Sequence, residues 1–160
     1  MKKDNISKNI TWAEAFKSQS AIRLGINNEA LVTDAIIENM KHVAENVFEP
    51  LRAHFKKPIG ISSFYRSSKL NQAIGGSKTS QHVQGEAIDI DADIFGGITN
   101  KEIFEYVKKN LDFDQLIFEG VKTNGDAEWI HVSLKRNGKN RRQILKAEFT
   151  NKGVVYTNYI

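Results

Sequence analysis

Residues 113–134 read FDQLIFEGVKTNGDAEWIHVSL, and this stretch decides the fold class. Its two ends, residues 113–118 and 129–134, are rich in branched and aromatic side chains, which favour β-strands. Residues 120–126 between them contain two glycines, an asparagine and an aspartate, a composition typical of turns. The stretch therefore predicts two strands that are joined by a turn.

Strand signals continue on both sides of this pair, whereas helix signals dominate the first third of the chain. The further predicted strands, including a C-terminal hairpin, are residues 58–65, 87–91, 143–149 and 154–159. Residues 29–55 carry an apolar stripe at three- and four-residue steps, which predicts a helix. Pro50 interrupts this stripe, so either the helix kinks there or a second helix starts there. Because the helix signals come first in the chain and most strand signals follow, the sequence predicts an α+β fold in which N-terminal helices pack on a mostly antiparallel sheet.

Two capping boxes mark further helix starts. Thr11 with Glu14, and Thr99 with Glu102, have the spacing in which a threonine and a glutamate satisfy each other's backbone N–H groups. We therefore expect a short helix after Thr11 and a longer one after Thr99.

The length of 160 residues suits one domain, and we expect a flexible N-terminus over residues 1–10 and a single domain over residues 11–160. The chain has no cysteine, which excludes disulfide scaffolds, thiolate metal sites and a cysteine nucleophile. We expect no membrane-spanning helix and no secretory signal peptide, because no apolar run is long enough. The localisation therefore stays open. The net charge of +4 favours anionic partners but selects none.

The four histidines divide into two groups. His42 and His54 lie in the helical region beside lysines, where surface positions are usual, whereas His82 and His131 lie among strands and acidic residues. A hydrolytic zinc site needs three protein ligands, often two imidazoles and a carboxylate, and a fourth position for water. A separate carboxylate then moves the proton of that water.

His82, Asp89 and His131 could be the three ligands, with Glu128 as the base. Gly85 would allow the tight reversal between the first two ligands. Glu128 and His131 are three residues apart, however, and a regular strand would place them on opposite faces. Glu128 would therefore have to lie in a loop or bulge before the strand. By spacing alone, ordinary polar roles for the two histidines remain an open alternative.

The segment from Ser80 to Asp89 matches the pattern Ser-x-His-x-x-Gly-x-Ala-x-Asp of the M15 family of zinc peptidases, which includes D-Ala-D-Ala carboxypeptidases and dipeptidases. The segment Glu128-Trp129-Ile130-His131 resembles the Glu-x-x-His segment of that family. Further segments resemble a small, phage-associated branch, namely residues 22–28, 61–66, 75–82 and 113–117. The resemblance covers the chain from about Thr11 to Leu134.

This resemblance implies a peptidase of the hedgehog/DD-peptidase fold with one Zn²⁺ bound by His82, Asp89 and His131. Glu128 would be the general base, and Glu119 is a rival for that role. Two further residues are implied near the substrate: Arg66, which faces the substrate and the transition state, and Ser80.

The substrate implied by the resemblance is a peptide of peptidoglycan. The enzyme would hydrolyse stem peptides or cross-links, as a D,D-carboxypeptidase or as an endopeptidase of the endolysin type, in cell-wall degradation. The alternative is a non-catalytic zinc-containing domain of the same fold that binds the cell wall or a protein. Residues 135–136 and 141–142 are basic, but no helix-turn-helix or zinc-finger spacing accompanies them, so we expect no nucleic-acid binding. We expect a monomer.

Overall fold

The computed structural model describes residues 5–160 and has a mixed α+β fold. The helices are α1 (Trp12–Phe16), α2 (Gln19–Leu24), α3 (Asp34–Val43), α4 (Glu49–Phe55), α5 (Ser68–Ala73) and α6 (Asn100–Asn110). The strands are β1 (Asn5–Ser7), β2 (Ile10–Thr11), β3 (Gly60–Ser63), β4 (Ala87–Asp91), β5 (Gln115–Val121), β6 (Ala127–Ser133), β7 (Gln143–Thr150) and β8 (Gly153–Asn158). A π-helical segment, Ala44–Phe48, joins α3 to α4, and 3₁₀ turns form at Gln81–Gln84 and Ala92–Ile94.

Strands β3 to β8 form one six-stranded sheet in the order β3-β4-β6-β5-β7-β8. Neighbouring strands are antiparallel except β5 and β7, which run parallel. The predicted α+β class with a mostly antiparallel sheet is therefore confirmed. The parallel pair was not predicted, because the turn signals identify hairpins but not the partner that a hairpin joins.

One face of this sheet is covered by helices. Along β4 and β6, alternate side chains such as Ile88, Ile90, Ile130 and Val132 are fully buried in the main core. The helices α3, α4 and α6 pack against these side chains and contribute Met40, Val43, Leu51, Ile103, Phe104 and Val107 to the same core. The residues between the alternate core positions must therefore project from the other, open face of the sheet.

The predicted helix starts agree with the structure. Thr11 accepts a hydrogen bond from the backbone N–H of Glu14, whose carboxylate in turn accepts one from the Thr11 N–H, and Thr99 and Glu102 make the same box. Pro50 lies in the first turn of α4, which continues directly from the π-helical segment Ala44–Phe48, so the backbone remains helical across the interruption and its hydrogen-bond pattern changes just before the proline. Among the helices of residues 5–160, none has the length and the apolar character needed to cross a membrane.

The expectation of a flexible N-terminus over residues 1–10 is corrected for its second half. Strand β1 pairs with β2, and Ile6 and Ile10 are buried in the main core. Glu49 in α4 also accepts three hydrogen bonds from this segment. Apolar burial and these bonds hold the segment in place despite its polar composition. Residues 1–4, which belong to the same expectation, lie outside the described residues.

Candidate metal centre

Asp89 and His131 meet because their strands pair in register. Asp89 in β4 lies directly opposite His131 in β6, and both alternate with core residues, so both project from the open face of the sheet. The Nδ1 atom of His131 lies 2.9 Å from Oδ1 of Asp89. Both side chains are nevertheless well shielded, with 9% of His131 and 7% of Asp89 exposed.

His82 approaches from the 3₁₀ turn Gln81–Gln84, which precedes β4. Its Nδ1 atom lies 2.6 Å from the backbone oxygen of Phe64. A carbonyl oxygen can only accept, so Nδ1 carries the proton and leaves the lone pair of Nε2 free. That Nε2 lies 3.2 Å from Oδ2 of Asp89. The hydrogen bond to the backbone oxygen of Phe64 thus sets the tautomer of His82 that a metal ligand requires.

Gly85 makes the return from this turn to β4 possible. Its φ angle is +70°, in the left-handed region, and a Cβ atom there would lie 2.8 Å from the backbone oxygen of Ile36. Any other residue would therefore be strained and would clash with α3. The expected tight reversal between His82 and Asp89 is present in the structure.

The donor set fits a divalent metal ion of the zinc type. One ligand atom from each of His82, Asp89 and His131 lies within 4.8 Å of the other two. Ligands at zinc bond lengths of about 2.0–2.1 Å around a tetrahedron are about 3.3 Å apart, close to the two imidazole–carboxylate distances above. Two imidazoles and one carboxylate are also a donor set that zinc prefers. The group could hold one metal ion.

Electrostatics favour the ionised form of Asp89. Burial alone would raise the pKa of its carboxyl, but the charges and hydrogen bonds that His82 and His131 offer when protonated outweigh burial and hold that pKa well below the usual range. A buried carboxylate that is already deprotonated can bind a cation without first losing a proton.

Glu128 is not brought to the three ligands. It lies within β6, which spans Ala127–Ser133, and not in a loop or bulge before the strand. Glu128 is three positions before His131, so regular alternation directs its side chain away from the open face. Glu128 is exposed and does not line the cavity around the ligands. The sequence-based preference for Glu128 as the base thus conflicts with the geometry.

Strand β5 brings a different carboxyl, Glu119, to the site. Ile117 pairs with His131, and Glu119 two residues later pairs with Trp129, so the side chain of Glu119 projects from the open face. Burial and then the negative charge of Asp89 raise the pKa of Glu119 to about 7, although the charges of His131 and Arg66 oppose the rise. A carboxyl that titrates near neutrality can both accept and donate a proton at physiological pH.

Arg66 and Ser80 line the same cavity as the ligands, which has a volume of about 940 Å³. The backbone N–H of Arg66 donates to the backbone oxygen of His82, and its guanidinium donates to Oδ1 of Asn71. Within residues 5–160 the ion pairs include none with Arg66. Its charge is therefore available to a bound anion.

Some residues that line the cavity were not predicted from the sequence. Gln143 and Leu145 from β7 and Tyr156 from β8 line it beside the expected residues. The hairpin that carries them was predicted from its turn, but only the parallel pairing of β7 with β5 brings it next to the ligands. No local pattern signals that pairing.

Comparison with known proteins finds a match to one protein family. The model of the family described as Peptidase M15 matches residues 8–133. A search of curated proteins finds no match. The matched segment contains the three candidate ligands, Arg66, Ser80 and both Glu119 and Glu128, and it ends before the hairpin of β7 and β8.

Proposed function

Because the chain belongs to the peptidase M15 family, we propose that it is a zinc peptidase that hydrolyses peptide bonds in peptidoglycan. The observation that carries the proposal is the convergence of four side chains in one cavity. His82, Asp89 and His131 form the candidate ligand group, and the partly buried Glu119 lies beside it on the neighbouring strand. Three ligands and a separate proton-transfer group are the parts that metal-assisted hydrolysis needs.

The metal would supply one part of the chemistry. His82, Asp89 and His131 would hold a zinc ion, which would lower the pKa of a water molecule and polarise the carbonyl of the scissile peptide bond. The hydrogen bond between His82 and the backbone oxygen of Phe64 and the strand register of Asp89 and His131 position these three side chains.

Glu119 would act as the general base and then as the general acid. Its carboxylate takes a proton from the water as the water oxygen attacks the carbonyl carbon. As the carbon–nitrogen bond breaks, the carboxyl returns a proton to the departing amine. Burial raises the pKa of Glu119 to about 7 without a metal ion, and the charge of a bound zinc ion would lower it, which favours the carboxylate form that accepts the proton.

Arg66 would bind an anionic oxygen. In one role its guanidinium stabilises the negative oxygen that develops during attack. In the other it binds the terminal carboxylate of the substrate, which would make the enzyme a carboxypeptidase. The first role suits an endopeptidase of the endolysin type equally well. Ser80, beside the ligands, would contact the substrate.

A matched pair of carboxyl variants tests the proposal. We expect Glu119→Gln to keep stoichiometric zinc and to lose hydrolysis of purified peptidoglycan by about 10²–10⁴-fold, since proton transfer is lost. Glu128→Gln should keep both zinc and activity, because its side chain does not line the cavity. Zinc is measured by atomic emission, and products are measured by mass spectrometry. Normal activity of Glu119→Gln would contradict the assignment.

Mass spectrometry of the same digests also identifies the bond. Loss of a single terminal residue indicates a carboxypeptidase, whereas fragments from internal bonds indicate an endopeptidase. Wild-type protein that holds zinc, binds peptidoglycan and releases no product, with or without a chelator, would favour the alternative of a non-catalytic binding domain. The expected monomeric state and the expected lack of nucleic-acid binding stay predictions.

A further inference from the structure

The C-terminal hairpin, formed by β7 and β8, is part of the site although it lies outside the family match. The match ends at residue 133, whereas the hairpin begins at residue 143. Yet Leu145 and Tyr156 line the cavity around the ligand group. This chain therefore completes its cleft with a segment that the family model does not cover.

A row of cross-strand neighbours connects Tyr156 to the proposed base. Tyr156 in β8 pairs with Ala147 in β7, Ala147 pairs with Glu119 in β5, and Glu119 pairs with Trp129 in β6. Ala147 is fully buried and has only a methyl group, so it does not separate the phenol from the carboxyl. The charges of Glu119 and Asp89, after burial, raise the pKa of Tyr156.

Tyr156 and Arg66 stand on opposite sides of the ligands. Arg66 follows β3 at one edge of the sheet, Tyr156 lies in β8 at the other edge, and the ligand strands β4 and β6 lie between them. The hairpin is anchored to β6 by Phe149, whose ring centroid lies 5.4 Å from that of Trp129. Tyr156 itself is 53% exposed, so a molecule in the cleft can reach it.

We propose that Tyr156 is a substrate-binding residue, a role that depends on the proposed peptidase function. Its ring forms the cleft wall on the side away from Arg66. Its hydroxyl, a neutral donor at pH 7, donates a hydrogen bond to a carbonyl or carboxylate oxygen of the bound peptide. The peptide is thereby held from both sides of the ligand group, by a cation on one side and by a phenol on the other.

Steady-state kinetics on a soluble muropeptide test this role. We expect Tyr156→Phe to raise KM by about two- to tenfold, the value of one neutral hydrogen bond, with kcat within about twofold of wild type. Tyr156→Ala should raise KM further, because the wall is also removed. Zinc content should be unchanged in both variants. Tyr159→Phe is the matched control, since the Tyr159 ring packs against Phe104 and Phe118 in the core.

Three results would overturn the role: wild-type KM in both variants of Tyr156, an effect confined to kcat, or loss of zinc from Tyr156→Phe. If the wild-type protein does not hydrolyse peptidoglycan, the proposed function fails separately. Equilibrium binding of the same muropeptide to zinc-loaded protein then decides about Tyr156. Weaker binding by Tyr156→Phe than by wild type and Tyr159→Phe supports the role. Equal binding, or no binding by the wild type, refutes it.

Discussion

The two faces of the central sheet differ although the same strands build them. On the helix-covered face, β4 and β6 present Ile88, Ile90, Ile130 and Val132, all fully buried. On the open face the residues between them include Asp89 and His131, the carboxylate and one imidazole of the ligand group. A shift of one residue along either strand would exchange these sets.

The two faces have different roles because strand pairing fixes which side chains each face carries. The helix-covered face provides apolar burial, which stabilises the sheet and keeps its register. The register in turn places the polar side chains of the open face opposite one another. Substitutions on the first face should therefore lower stability, and substitutions on the second should lower metal binding and activity while leaving the fold in place.

The largest expected effect is on the open face. His131→Ala removes one of three ligands, and we expect the purified protein to lose zinc and to hydrolyse peptidoglycan at less than about a thousandth of the wild-type rate. His42→Ala is the control, because His42 in α3 lies outside the ligand group. Zinc content and product formation are measured on the same samples. Full zinc occupancy of His131→Ala would contradict the assignment of metal binding to the open face.

The next largest effect concerns stability on the helix-covered face. Ile130 is next to His131 in the chain but is fully buried in the core. We expect Ile130→Ala to lower the free energy of unfolding by about 2–5 kcal/mol, because it leaves a cavity. Zinc content and rate per folded molecule should stay near wild type.

Urea denaturation followed by tryptophan fluorescence measures this loss. Val121→Ala in β5 is the control, since Val121 is 40% exposed and its truncation should cost much less. An Ile130→Ala protein of normal stability that lacks zinc would reverse the roles assigned to the two faces.

The smallest effect is at the charged rim where the chain enters β5. The Asp114 carboxylate is fully buried and accepts hydrogen bonds from Arg141, with Lys135 nearby. Burial would raise the pKa of Asp114, but these bonds outweigh burial and lower it to about 2 from 3.8. A depressed pKa means that the carboxylate stabilises the folded state above about pH 4 and that this contribution is lost as the pH falls towards 2.

We therefore expect Asp114→Asn to lower the free energy of unfolding by about 1–2 kcal/mol at pH 7, the solvent around Arg141 screening part of the interaction. The difference from wild type should shrink between pH 4 and pH 2. Asp112→Asn is the control, because the Asp112 side chain is 88% exposed and its ion pair with Arg142 should contribute little. Urea denaturation at several pH values makes the measurement. A constant difference across this pH range would contradict the assignment to ionised Asp114.

Much of the fold and of the ligand group could be predicted from the sequence. The capping boxes at Thr11 and Thr99 are local signals, and both helices begin where these signals place them. Residues 87–91 form the predicted strand without a change in bounds. The ligand group was also within reach, because the motif from Ser80 to Asp89 and the later His131 name the three residues that the structure brings within 4.8 Å.

Two features depended on the tertiary structure: the choice of Glu119 over Glu128 as the proposed base, where the sequence favoured Glu128 and named Glu119 as its rival, and the far wall of the cleft. Strand β6 begins at Ala127, two residues before its predicted start, and this places Glu128 inside the strand and away from His131. The pairing of β5 with β6 then places Glu119 beside the ligands, and the parallel pairing of β5 with β7 brings Tyr156 to the cavity.

By itself, therefore, the sequence determined the α+β class, the helix starts and the three metal-ligand candidates. Only the tertiary structure decided which carboxyl stands beside them and which strands enclose the cleft. The physical reason is that side chains alternate along a strand with a period of two. The face that a residue occupies thus depends on where its strand begins and which strand it pairs with. Contacts between residues that are distant in the chain determine both the start of each strand and its pairing partner.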